Sequence, residues 1–421
     1  MVEGGATMRQ VGNRRSGRAS GARLTRRRLL GLALGGAAAV TGKLAEPFGV
    51  PAVLGATSGP VKLGVLLPYS KVYQRLGEDI TSAMILYLES VGFKAGGRSI
   101  TLIREDEEID PQVALRKGRK LVENDNVDII AGLVASPSAL ALRDVVHNSK
   151  TLLVIANAGA NAVTRARRSP YIFRVSFSNW QTSYPIGKWF YDNVARSCLV
   201  GASDYAAGHE DIEAFKESYL AAGGKIVSEV YPPLNNTDYG PYVAQMQKAK
   251  PEAIFVFFAG SDAARFVIQA ATYGLFKDAR LAGPGFLVEE DVLPAQGRNA
   301  LGAYSCLHWA LTLQTRENLA FTRAYRARWE RDATVYAMQG YDTARVIVEA
   351  LNATAGDTRN KTKLIDAMTA VKFVSPRGPI AFDPETHNVI QTMYVRQVRE
   401  VGKSIHNVVF ANLGVIKDPG T

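Results

Sequence analysis

The sequence is poor in the residues on which most enzyme and metal chemistry depends. Two cysteines, Cys198 and Cys306, and five histidines are spread over 421 residues. That excludes a disulfide framework and the Cys/His spacings of a structural zinc site. His209-Glu210 opens like a zinc helix, but the second histidine is missing and Glu213 stands in its place. Gly201-Ala202-Ser203 begins like a nucleophile elbow and lacks the closing glycine at Tyr205. No glycine-rich loop closed by Lys-Ser or Lys-Thr follows a strand, which argues against a Walker-type phosphate site. The acidic run Glu105-Asp106-Glu107-Glu108 reads as a solvated loop rather than a cation site. No catalytic residue, metal or cofactor is therefore expected.

Long apolar runs are scarce too. The clearest is residues 29–40, which follow Thr25-Arg26-Arg27-Arg28. Twelve residues are too few for a membrane-spanning helix, which needs about 20. A basic segment running into a short apolar one suits a cleavable export signal, and the paired arginines before Leu29-Leu30 resemble the twin-arginine kind. The alternative is a basic tail that binds acidic polymers, but such a tail has no use for the apolar run. Residues 1–56 are taken as signal and linker, and the remainder as an exported, periplasmic chain without stable membrane insertion.

Charge follows the same division. Of the formal +11, residues 1–56 supply +7, from eight arginines and Lys43 against Glu3 and Glu46. The remaining +4 is too little, and too scattered, for a nucleic-acid surface. Both cysteines lie in strand-like runs, where burial is more usual than pairing.

From residue 57 onward short apolar runs alternate with amphipathic segments. Strands are expected at 61–67, 100–103, 127–133 and 151–156, with helices at 77–90, 111–123 and 138–146. Asp110 caps the second helix and Pro111 takes its first position. The rhythm restarts after residue 180, with strands at 198–202, 225–230, 253–258, 280–282 and 303–308. Helices are expected at 210–222, 240–249, 262–273 and 289–293. Helices at 317–331 and 336–351 follow without a strand between them, and strands at 379–382, 391–398 and 407–412 close the chain. Two such α/β series predict two doubly wound lobes, each around its own sheet.

Several short motifs in this order resemble the branched-chain amino-acid type of substrate-binding protein that serves ABC importers, the type I periplasmic binding proteins. They are 63–68 with Leu76-Gly77, Ile109-Asp110-Pro111, 127–132 with Ser136, Asn157 to Asn161, Thr237-Asp238-Tyr239, and Arg377-Gly378-Pro379. The resemblance implies two lobes joined by three hinge crossovers that close on a ligand. Lobe one would be 57–177 plus 310–376, and lobe two 178–309 plus 377–421. It also implies membrane permease subunits of an importer as partners. A periplasmic sensor of the same fold, signalling to a membrane regulator, is the alternative.

Ligands of open α/β sheets sit at the carboxyl ends of strands. Ser136-Pro137-Ser138 starts a helix there, where free N–H groups suit a carboxylate. The family's serine matching Ser136 holds that carboxylate. Gly159 and Asn161 follow the fourth strand, and Tyr205 follows the first strand of lobe two and matches a tyrosine that covers the ligand. Phe258 and Gly260 end the 253–258 strand, Trp180 lies in the first crossover, and Arg75 offers a cation. Amino-acid binders of the family carry a glutamate after Gly283-Pro284 that neutralises the ligand's ammonium. Here Gly285 and Phe286 follow instead, and Glu289 and Glu290 read as first-turn helix acids. The expected ligand is a small hydrophobic or aromatic carboxylate, or alternatively a branched-chain amino acid.

Overall fold

The computed structural model describes residues 59–420. The export signal expected in residues 1–56 lies outside them. The first sheet is built from β1 (Val61–Leu67), β2 (Lys94–Ala95), β3 (Arg98–Asp106), β4 (Ile129–Gly132), β5 (Leu152–Ile155) and β6 (Ile172–Arg174). Their spatial order is β2-β3-β1-β4-β5-β6, all parallel except β2. Alternate residues of one strand enter different cores. Ile129 and Ala131 of β4 face one apolar cluster, and Ile130 faces another with Leu121 and Leu142. Burial on both faces is why these strands read as continuous apolar runs rather than alternating ones.

The second sheet uses β7 (Ser197–Ala202), β8 (Lys225–Val230), β9 (Ala253–Phe257), β10 (Arg280–Pro284) and β11 (Tyr304–Leu307), all parallel. It is extended by antiparallel strands β12 (Lys372–Ser375), β13 (Gly378–Phe382), β14 (Val389–Val401) and β15 (Ser404–Ile416). The chain passes between the sheets after β6, after β11 and before β12. Helix Val335–Ala353 packs on helix Gln74–Ser90 of the first lobe. Strand β12 lies within 310–376 yet pairs with β13 of the second sheet. Arg377, 1% exposed, donates to the carbonyls of Val175 and Ser176 and pairs with Asp342 at 2.9 Å. It thereby ties the first passage to the third.

Local signals account for most boundaries. The Asp110 side chain accepts from the N–H groups of Gln112 and Val113, capping helix Pro111–Arg119. Thr315 and Thr334 cap the two helices that follow β11. Several segments depart from expectation, the short strands β2, β6 and β12 among them. Helix Asn179–Asn193 was hidden by Pro185 in its interior, although Ser178 and Gln181 form a capping box at its start. Helix Lys361–Thr369 was also not anticipated. The helix expected at 289–293 does not form: a 3₁₀ turn, Gly285–Val288, and a short helix, Leu293–Gln296, flank an extended Glu289. Cys198 and Cys306 are buried and free, on β7 and β11.

Candidate functional site

A narrow cavity receives residues from both lobes and from the first passage between them. Six of its lining residues are aromatic: Tyr73, Phe177, Tyr205, Phe257, Phe286 and Tyr336. Phe286 organises the set. Its ring lies 4.8 Å from that of Phe177, 6.2 Å and nearly parallel to that of Tyr336, and 6.2 Å and edge-on to that of Phe257. Tyr205 is stacked on Phe257 at 6.2 Å. Leu76, Val134, Ala207 and Ala259 add aliphatic surface. The walls therefore offer flat apolar faces for a ring.

The polar members of the lining are neutral. Ser136 Oγ accepts from the N–H of Ala160 at 3.1 Å, which leaves its own proton free to donate. Asn157 Nδ2 donates to Gln339 Oε1 at 2.8 Å, and Gln339 Nε2 lies 3.3 Å from His308 Nε2. His308 is fully buried beside the Phe177 ring, and burial keeps it uncharged by pushing its pKa well below the usual value. Asn179 Nδ2 and the N–H of Asn161 both donate to Glu210 Oε2, at 2.7 and 2.9 Å, joining the first lobe and the passage to helix Ala206–Ala221 of the second. The Tyr73 and Tyr205 hydroxyls meet at 3.2 Å across the cleft. No Asp, Glu, Lys, Arg or His stands among the lining residues.

A single sequence-family model, described as periplasmic binding protein, matches residues 60–403. This chain belongs to the periplasmic binding protein family. Its two sheet-and-helix lobes are the type I arrangement. An ABC-transporter solute-binding protein of R. palustris, solved in complex with benzoate, is 32% identical, with a TM-score of 0.82 over 86% of this chain and 99% of its own. Another, from Rhodopseudomonas palustris BisB5 with 3,4-dihydroxy benzoic acid, is 35% identical, with a TM-score of 0.83 over 86% and 99%. The Leu/Ile/Val-binding protein homolog 6 of Brucella melitensis is 29% identical over 343 residues, 80% of this chain and 87% of its own. The two solved relatives are solute-binding proteins of ABC transporters, and solute capture is the general role of this periplasmic binding protein.

The structure gathers four of the expected site residues, Ser136, Gly159, Tyr205 and Phe286, around the cavity of this binding protein. Gly159 is there for space: a Cβ would lie 2.0 Å from Asn179 Oδ1 and 2.5 Å from the Phe177 ring. Pro137, Ser138 and Asn161 stand outside the lining. Pro137 is half-buried in the first turn, and Ser138 is turned towards Glu107. Asn161 Oδ1 accepts from the Trp180 N–H at 3.0 Å, so the pair braces the passage. Trp180 itself stacks on Tyr184 at 4.3 Å on the outside of helix Asn179–Asn193.

Two expectations need correction on geometric grounds. Phe258, one residue past the end of β9, belongs to the outer core of the second lobe, with Tyr239 and Phe266, because its side chain points opposite to that of Phe257. Arg75 provides no cation for the ligand, because it lies on the exposed side of helix Gln74–Ser90 and pairs with Asp79 four residues on, at 3.1 Å. Gly260 does not line the cavity. It has φ +55° and starts helix Gly260–Thr272, where a Cβ would meet the Val72 carbonyl at 2.8 Å.

Gly285 is buried behind the wall. A Cβ there would sit 2.6 Å from Arg396 Nη2 and 2.6 Å from Leu307 Cβ. The guanidinium of Arg396 thus fills the space into which a longer side chain at 285 would grow. Nor are Glu289 and Glu290 first-turn helix acids. Glu289 is buried against Arg396 at 2.8 Å, and Glu290 binds His406 at 3.2 Å. Sequence reasoning missed Asn157, Phe177, Asn179 and Tyr336. Phe177 and Asn179 carried a signal in their nearness to the first passage; Tyr336 carried none beyond an apolar helical face.

Proposed function

We propose that this protein captures an aromatic carboxylate in the periplasm and delivers it to the permease subunits of an ABC importer. The observation that carries the reading is the cavity lining: six aromatic side chains and no acidic one. A buried ammonium without a counter-charge costs several kcal/mol. The nearest carboxylate in sequence to Gly285, Glu289, is engaged by Arg396 at 2.8 Å and by the Val335 N–H at 2.8 Å. An α-amino acid would therefore be poorly served, whereas a carboxylate has the Ser136 hydroxyl and the first turn of helix Ser136–Ser149. The benzoate and dihydroxybenzoate complexes of the two R. palustris relatives support the same class.

Benzoate and 4-hydroxybenzoate should raise the melting temperature of the purified protein, and leucine, isoleucine and valine should not. Ligand at a hundredfold excess over its dissociation constant stabilises the folded state by ~2.7 kcal/mol, which a thermal-shift panel reads readily. Stabilisation by the branched-chain amino acids alone would overturn the reading.

Delivery to the periplasm is proposed to use the twin-arginine route, on the strength of Arg26-Arg27 before the apolar run. Replacing both with lysine should leave precursor in the cytoplasm, as seen by fractionation and immunoblotting. Normal export of that variant would assign a different signal.

A further inference from the structure

The cavity carries more hydroxyl chemistry than a plain benzoate ring could use. Three of its walls are tyrosines, Tyr73, Tyr205 and Tyr336. The Tyr336 side chain is 1% exposed, and its hydroxyl has no hydrogen-bond partner. A buried polar group left unpaired costs about 1–3 kcal/mol, so a ligand atom that pairs with it gains that much selectivity. The Tyr73–Tyr205 contact at 3.2 Å uses one phenolic proton and leaves the other available. Burial raises all three phenols above their usual range, so each remains a neutral donor at physiological pH.

We infer that Tyr336, assisted by the Tyr73–Tyr205 pair, selects aromatic acids that carry a hydroxyl on the ring. This rests on the aromatic-carboxylate reading above. The groups around Tyr336 bear on the kind of substituent. Its electrostatic neighbours are the carboxyls of Asp291, Glu289 and Asp79. Asp291 is half-buried, with Oδ1 inaccessible and unpartnered. Glu289 is paired with Arg396, and Asp79 with Arg75 and Arg331, so the unpaired Tyr336 hydroxyl is the group that a neutral ring hydroxyl can bond. With the carboxylate at the Ser136 helix, the ring presents its hydroxyl to the tyrosines. A site built to bond a hydroxyl discriminates against the analogue lacking it, because its own polar groups then go unpaired.

The test is calorimetric titration of the mature protein with benzoate, 3-hydroxybenzoate and 4-hydroxybenzoate. The unsubstituted protein should bind at least one hydroxybenzoate about tenfold more tightly than benzoate. Tyr336→Phe should bring that ratio close to one. Tyr205→Phe should reduce the ratio as well, and it serves alone if Tyr336→Phe does not fold. A ratio near one in the unsubstituted protein, or a ratio unmoved by the tyrosine variants, overturns the inference and leaves the aromatic-acid reading standing. Failure of all three acids to bind overturns both.

Discussion

Arg396→Met should lower the free energy of unfolding by about 3–5 kcal/mol, because it strands a buried carboxylate. Arg396 is fully buried, and its guanidinium joins β14 to four residues in two segments, 285–289 and 305–309. It pairs with Glu289 at 2.8 Å and donates to the carbonyls of Trp309 and Gly285 at 2.9 and 3.0 Å and to Ser305 Oγ at 3.2 Å. Glu289 in turn accepts from the Val335 N–H, at the start of the helix that returns to the first lobe. With methionine in place of the arginine, Glu289 keeps that one backbone donor and loses its counter-charge. Most of the cost is the unpaired charge rather than the lost pair. The double variant Arg396→Met with Glu289→Leu should therefore recover a large part of it. Urea unfolding followed by fluorescence reads both. A single variant within about 1 kcal/mol of the parent would show that the pair does not hold this junction together.

The same junction shows where the sequence was legible. The absence of a glutamate at 285 was visible in Gly283-Pro284-Gly285-Phe286, and Phe286 does line the cavity. That Arg396 fills the space beside Gly285 was not visible, since 111 residues separate the two in the chain. Long-range charge pairing leaves no periodic trace. Apolar strands flanked by caps and turns do, which is why the alternation of strands and helices could be read almost element by element. The choice between Phe257 and Phe258 illustrates the limit. On a strand buried on both faces, each parity is apolar, so hydrophobicity does not distinguish the face towards the cleft from the outer core. Phe255 and Phe257 share the core that reaches the cleft; Ile254, Val256 and Phe258 share the other. Arg75 failed for a different reason. The segment after β1 turns into helix within seven residues, and the 3.6-residue period then sets Arg75 beside Asp79 rather than over the ligand.

Glu107→Gln should stabilise the protein increasingly as pH rises, by roughly 3 kcal/mol above pH 8 and by little at pH 4. Glu107 is fully buried where β3 ends, behind the loop that leads into the Ser136 helix. Its Oε1 accepts from the N–H groups of Val134 and Ala135, at 2.7 and 3.3 Å, so it sets the backbone just before the serine that lines the cavity. Burial pushes its pKa up from about 4.5 to about 7, against those two backbone bonds and the nearby Ser138 hydroxyl, with Asp106 adding to the rise. The folded state thus holds a proton that the unfolded state has released between those two values. Stability associated with the neutral acid is present below pH 4.5 and is lost as pH rises through 7. Glutamine keeps an acceptor for Val134 and cannot ionise, so it does not incur that loss. Asp79, Asp211, Asp262 and Asp342 are also raised by burial and destabilise the parent in the same direction. They are common to both proteins, so the difference between variant and parent isolates Glu107. Urea midpoints for the two, taken from pH 4 to pH 9, should diverge with increasing pH. A gap that stays constant across the range would mean that Glu107 titrates alike in the folded and unfolded states.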